Sequence, residues 1–118
     1  MEFKDILKGL VESVPGAAGA IFVDWEGEAV EYFFAGADDD IKLLGAHHGI
    51  LLNLLRDASE NMGQGKVQRL MVATETAKVM VQTLKDGYFL VAVASPVSNT
   101  GRAYHMMDKA AKILNEDI

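Results

Sequence analysis

The sequence contains no cysteine in its 118 residues. That excludes a disulfide framework, a thiolate zinc site and thiol catalysis, each of which needs sulfur. There are only two prolines, Pro15 and Pro96, and both stand where one periodic segment gives way to another. No cluster of Lys and Arg occurs. With 11 basic residues against 17 acidic ones the net charge is -6, which argues against nucleic acid or an anionic membrane as the main partner. No stretch reaches the roughly 18 to 20 apolar residues of a membrane span. The opening MEFKDILKGLVE carries charges through what would be the hydrophobic region of a signal peptide. A cytoplasmic protein without membrane insertion is expected. No G-K-[ST] motif and no legible Ser/His/Asp set appears, so no enzyme is expected and no catalytic, cofactor or metal residue is assigned.

What is present is apolar. Half of the residues are hydrophobic, which is rich for a chain whose length suits one domain over residues 1–118. Small domains leave much of their surface in water. Some of this apolar surface is therefore expected to meet another subunit.

Phe3, Ile6, Leu7, Leu10, Val11 and Val14 recur at helical spacing, and Pro15-Gly16 stops that helix. Residues 18–24 and 28–35 read as strands joined through Trp25, Glu26 and Gly27. Asp38, Asp39 and Asp40 read as the cap of a helix running to about Met62. On that helix Leu43, Leu44, His47, Ile50, Leu51, Leu54, Leu55, Ala58 and Met62 share one broad face, expected to be the core face, while Ile41 and Leu52 fall outside it. NMGQGK at 61–66 breaks the pattern. Strands follow at 67–74, 78–84 and 88–95, turned at 74–78 and at Asp86-Gly87. A last helix to about Asn115 is capped by Ser98 or Asn99. The runs at 20–23 and 89–93 are continuously apolar, which signals burial on both faces. The expected fold is α+β: a single five-stranded antiparallel sheet flanked by helices on both faces, in the order α-β-β-α-β-β-β-α.

The glycine-rich stretch SVPGAAGAIFVDWEGEAVEYFF, residues 13–34, invites a phosphate-binding reading. A phosphate cradle needs its glycines after a strand and before a helix, where N–H groups converge. Here the order is helix, glycines, strand. Pro15, Gly16, Gly19, Gly27 and Gly87 are instead assigned to turns, with Gly16 and Gly19 also letting the first helix approach the sheet. Asp24 and Glu26 flank a solvated hairpin tip rather than a cleft. His47 and His48 point about 100° apart on a helix and cannot share a metal as an i, i+4 pair can. His47 reads as a partly buried core histidine, and His105 as a surface residue with Asp108 and Lys109 beside it. The methionines read mainly as core filler.

Helix, VPGAAGAIFVDWEGEAV, long central helix, three strands and SNTGRAYHMMDKAAKIL together resemble the Roadblock family of dynein light chains and their prokaryotic relatives. The most specific marks are Val14-Pro15-Gly16 before a hydrophobic strand, the turn from Asp24 to Gly27, and Gly101 in the first turn of the last helix. The resemblance implies a homodimer, or a pair with a related Roadblock chain, in which third strands join edge to edge and second helices lie side by side. It places Ile41, Leu44, His48, Leu51, Leu52 and Leu55 of the helix, and Val67, Arg69, Leu70 and Val72 of the strand, in that interface. Prokaryotic relatives commonly act on small Ras-like GTPases. The resemblance therefore implies a non-enzymatic regulatory module that binds such a GTPase and modulates its nucleotide cycle; Lys42, Gly45, Gly49, Asn53 and Arg56, read as the solvent face of the central helix, are the contact candidates and carry no family fingerprint of a particular partner. A structural adaptor or light-chain subunit, and a small-ligand sensor with a pocket between sheet and helices, are the alternatives.

Overall fold

Residues 2–118 are described by a computed structural model. Helix α1, Phe3–Ser13, buries Ile6, Leu7 and Leu10 and ends at Val14, whose N–H donates to the Val11 carbonyl. The chain turns at Gly16, φ +88°, where a Cβ would lie 2.8 Å from Ser95 Oγ. Positive φ serves the turn, as expected, but the absent side chain makes room for Ser95 and Ser98 after the last strand rather than for α1. Strands β1, Ala17–Val23, and β2, Ala29–Phe34, form a hairpin. Its tip is tied by Asp24 Oδ1, which accepts the N–H groups of Glu26 and Glu28 at 2.9 and 3.0 Å. Gly27 takes φ +85° in that turn, and Asp24 serves turn geometry.

Helix α2 spans Asp38–Asn61. Its N-cap is Ala37, with no side-chain cap bond, so the expected aspartate cap is corrected: Asp38, Asp39 and Asp40 occupy the first helical turn, where their charge suits the dipole. The helix ends in a Schellman arrangement. Gln64 N–H donates to the Ser59 carbonyl and Gly63 N–H to that of Glu60, with Gly63 at φ +69°. Strands β3, Arg69–Ala73, β4, Lys78–Thr83, and β5, Phe89–Ala94, follow. Asp86 and Gly87, φ +56° and +83°, form the last hairpin turn. Helix α3, Thr100–Glu116, is capped by Asn99, whose side chain accepts Arg102 N–H at 2.9 Å.

The antiparallel sheet runs β2-β1-β5-β4-β3, so the two continuously apolar runs are neighbours in its middle. Alternate residues feed two cores. Ala20, Phe22, Met80, Leu90 and Ala92 meet α1 and α3, whereas Ile21, Val23, Val79, Val81, Phe89 and Val91 meet α2. The helices lie on both faces, as the sequence predicts.

The orientation of α2 is a correction. The line touching the sheet is Ile41, Gly45, Gly49 and Leu52, with Ile41 1% and Leu52 0% exposed. Leu43, Ile50, Leu54 and Met62 are 56 to 70% exposed, and Leu51 and Leu55 are exposed as well. The expected core stripe is the outer face, and the two residues left over are the anchors. Glycine is the physical reason. A Cβ at Gly45 would meet Ile21 and Val23 side chains at 3.2 and 3.3 Å, and one at Gly49 would meet Phe89 at 2.9 Å. The helix lies so close that only small residues fit between its axis and the sheet. Gly19 is corrected too: it lies inside β1 rather than in a turn, and a Cβ there would strike the Phe34 ring at 2.5 Å, so its bareness seats β2's aromatic rather than α1.

Substitution separates the two orientations. Leu52→Ala should cost about 2 to 5 kcal/mol in urea denaturation, as a buried leucine does, whereas Leu51→Ala next to it should stay within about 1 kcal/mol. Equal losses at both positions would contradict this helix placement.

Candidate interaction surface

The outer face of α2 divides by rotation, about 100° per residue. Leu44, His48, Leu51 and Leu55 lie on the flank beside the buried line. Leu43, His47, Ile50 and Leu54 form the crest, opposite the sheet. Lys42, Asn53 and Arg56 lie on the other, polar flank. Leu44 and His48 are half-buried, and His48 Nδ1 sits 2.8 Å from the Leu44 carbonyl, so the ring is held to its own helix. His47 is exposed, correcting its expected place in the core. Of the ten residues expected in an interface, Ile41 and Leu52 are sealed inside the subunit and unable to reach another chain. Of the five expected partner contacts, Gly45 and Gly49 face the sheet.

The sheet has two edges, and they differ. In β3 the Gln68 carbonyl accepts Thr83 N–H, and Thr74 N–H donates to Ala77. By antiparallel alternation, Leu70 and Val72 exchange bonds with β4, while the backbone groups of Arg69, Met71 and Ala73 point outward. In β2 the same reasoning points the groups of Tyr32 and Phe34 outward. There Tyr32 N–H is taken by the Glu31 carboxylate at 3.0 Å, and Glu31 in turn lies 3.8 Å from Lys4. Lys4 and Lys42 also stand over the Tyr32 ring, at 5.6 and 5.3 Å. Charged side chains covering a strand edge discourage further pairing. The β2 edge is guarded, and β3 carries no such cover on its outward N–H groups among the described residues.

Strand β3 is shorter than expected. Val67 lies two residues before it, its carbonyl accepting Thr83 Oγ1–H at 3.0 Å. Arg69, expected in the interface, reaches α3 instead. Its guanidinium donates to Asp108 at 2.7 Å and to Gln82 at 3.0 Å and lies 4.7 Å over the Tyr104 ring. Asp108 is thus engaged by Arg69 rather than by His105. Tyr104 O–H donates to the Leu70 carbonyl at 3.2 Å, so the open edge strand is clamped from behind. Sequence reasoning missed this clamp because its members are far apart in the chain.

Trp25, at the first hairpin tip, is 58% exposed and stands edge-on to Tyr88 at 5.4 Å. A cleft of about 630 Å³ between the end of α2 and the last hairpin is lined by Arg56, Lys66 and Lys85 together with Glu60 and Asp86, a mixed set. Between the sheet and the α1–α3 layer lies a cavity of about 10 Å³, room for one water at most. A cavity of that size does not hold a small organic ligand, which counts against the small-ligand alternative in that layer. No three metal-ligating side chains gather among the described residues.

A family model described as the Roadblock/LC7 domain matches residues 3–94. The chain belongs to this family. A solved Roadblock/LC7 domain from Streptomyces avermitilis superposes with a TM-score of 0.91 at 20% identity, over 98% of this chain and 97% of that one. Myxococcus xanthus MglB gives 0.87 at 12% identity, over 97% and 92%. MglC from the same organism gives 0.69 at 24% identity, over both chains in full. Among curated proteins none matches this chain. At such identities the likeness speaks for the Roadblock fold, and it covers the whole arrangement of sheet and three helices.

The clamp behind β3 has a pH signature. Burial raises the Tyr104 hydroxyl above its ordinary value of 10.0, against the opposing pull of Arg69. A raised folded-state value means a stabilisation complete below the unfolded value near 10 and lost as pH climbs through the folded one. Tyr32 shifts the same way, beside the Asp38 carboxylate. Denaturation between about pH 9 and pH 11.5 should therefore show an alkaline decline that Tyr104→Phe makes shallower. An unchanged slope in that variant would remove Tyr104 from the account.

Proposed function

We propose that this Roadblock-family chain is a cytoplasmic, non-enzymatic regulatory module that works as a homodimer and binds a small Ras-like GTPase. The observation that carries the reading is the outward leucine face of α2, lying over the same sheet whose β3 edge is open. A domain this small does not leave Leu43, Ile50, Leu51, Leu54 and Leu55 in water without a use, and contiguous exposed apolar surface marks interaction sites. In the family resemblance, paired third strands and paired second helices use those two features.

In this reading the flank of Leu44, His48, Leu51 and Leu55 meets the second copy, together with Leu70, Val72 and Val67 beside the strand edge. Pairing of the outward Arg69, Met71 and Ala73 backbone extends the sheet across the twofold axis. Two helices side by side cover their flanks but not their crests. Leu43, Ile50 and Leu54, repeated in the partner, then form the client platform, bordered by Lys42, Asn53 and Arg56. The module acts by holding one conformation of its client. Arg69 is occupied by Asp108, and Arg56 donates to Asn53 at 3.2 Å, so the regulator's own arginines are engaged within the subunit.

Light scattering on the purified protein should show a dimer at micromolar concentration. Leu55→Glu on the flank should yield a folded monomer. Ile50→Glu together with Leu54→Glu on the crest should keep the dimer while weakening GTPase capture by at least about tenfold, the scale of losing a central apolar anchor. Pull-downs against the small GTPases of the same organism, followed by GTP turnover, read out the client. A monomeric wild type removes the dimer. A dimer that binds none of those GTPases removes the client and leaves the adaptor reading.

A further inference from the structure

The opposite face of the molecule carries a second surface that the proposed dimer leaves free. Helices α1 and α3 lie side by side, and the groove between them is floored by Ile6, Gly9, Leu10, Met106, Ala110 and Ile113. Glycine inside a helix is less favourable than alanine by about 1 kcal/mol. Gly9 nonetheless has nothing within 4 Å of where a Cβ would stand, so the subunit itself does not require it. A bare position on an outer helix face suits the close approach of another backbone.

The rim supplies the partner's chemistry. Asp5 stands on the α1 bank and Lys109 on the α3 bank, and neither takes part in an ion pair among the described residues. The helices run antiparallel, fixed at one end where Arg102 Nε–H donates to the Ser13 carbonyl at 3.0 Å. From that tie, Asp5 lies eight residues back along α1 and Lys109 seven residues along α3, about 12 and 10.5 Å at 1.5 Å per residue. The two charges therefore face each other across the groove at nearly the same level. A twofold axis along the groove exchanges the banks and brings each Asp5 opposite the other copy's Lys109, the self-complementarity that an isologous contact demands.

We propose that the α1–α3 groove is a second, weak self-association surface, in which the α1 of each copy lies along the α3 of the other, approaching closely at Gly9, and the two exchange Asp5–Lys109 ion pairs. Combined with pairing through α2 and β3, it joins dimers into larger particles. By itself it makes a loose dimer. Two helices of about 16 and 25 Å offer a face at or below the low end of specific interfaces, about 1,200 Å² in total, so association should show only toward about 1 mM protein and should weaken with salt.

The test is sedimentation equilibrium at low salt, up to about 1 mM protein, on the wild-type chain and on Leu55→Glu, which isolates this surface from the other. In both, mass should rise above that of the dilute particle. Asp5→Lys and Lys109→Asp should each weaken that rise by at least about tenfold in the association constant, a loss typical of unlike charges turned into like ones. The two together, which restore opposite signs across the axis, should recover it. Gly9→Leu should abolish it by bulk while the circular dichroism of the helices is kept. A mass constant with concentration overturns the proposal, and so does a double reversal no better than the single ones. Neither result touches the dimer through α2, which is read from dilute wild-type protein.

Discussion

The closeness of α2 to the sheet governs the rest of the surface. Gly45 and Gly49 leave Ile21, Val23 and Phe89 pressed against helix backbone, and Ile41 and Leu52 close the contact at either end. A helix seated on a line of four positions has most of its circumference left over. The leucines that a conventional amphipathic helix would bury must then turn outward. What looks like excess hydrophobicity in the composition is the direct result of spending glycine, rather than leucine, at the sheet.

The sheet's edges show the same selectivity. At β2 a carboxylate takes up an outward N–H group, and two lysines cover the neighbouring tyrosine. At β3 the stabilising groups Arg69, Asp108 and Tyr104 sit behind the strand, on the α3 side, and leave the outward backbone free. A protein with two open edges could add strands without limit, whereas one guarded and one open edge favour pairing that stops after a single step. The rigid backing of β3 also lowers the ordering cost of such pairing, because the strand is held in place before any partner arrives.

Much of this was legible in the sequence, for definable reasons. The turns at Gly16, Gly27 and Asp86-Gly87, the cap at Asn99 and the two doubly buried central strands each follow from local chemistry that tertiary structure did not override. The face of α2 was not legible from a count of apolar side chains, since that count gives glycine no weight. The spacing of Ile41, Gly45, Gly49 and Leu52, at i, i+4, i+8 and i+11, was the available signal. It says that small residues as well as large ones can define a buried line. The β3 clamp lay beyond any local reading, because Arg69 and Asp108 come together only through the fold.

The layout of α2 carries a consequence for regulation in the proposed function. Leu51 and Leu55 of the pairing flank alternate along one helix with Ile50 and Leu54 of the client crest, so no rigid element separates the two uses. A client touching both crests would contact a surface that exists only when two copies are joined. Its binding free energy then includes the dimer's, and by linkage the client must tighten the dimer by the same factor that the dimer tightens the client. A domain with so little interior needs no moving part to couple assembly to recognition. It suffices that the one helix held down by glycines presents its leucines to two neighbours at once.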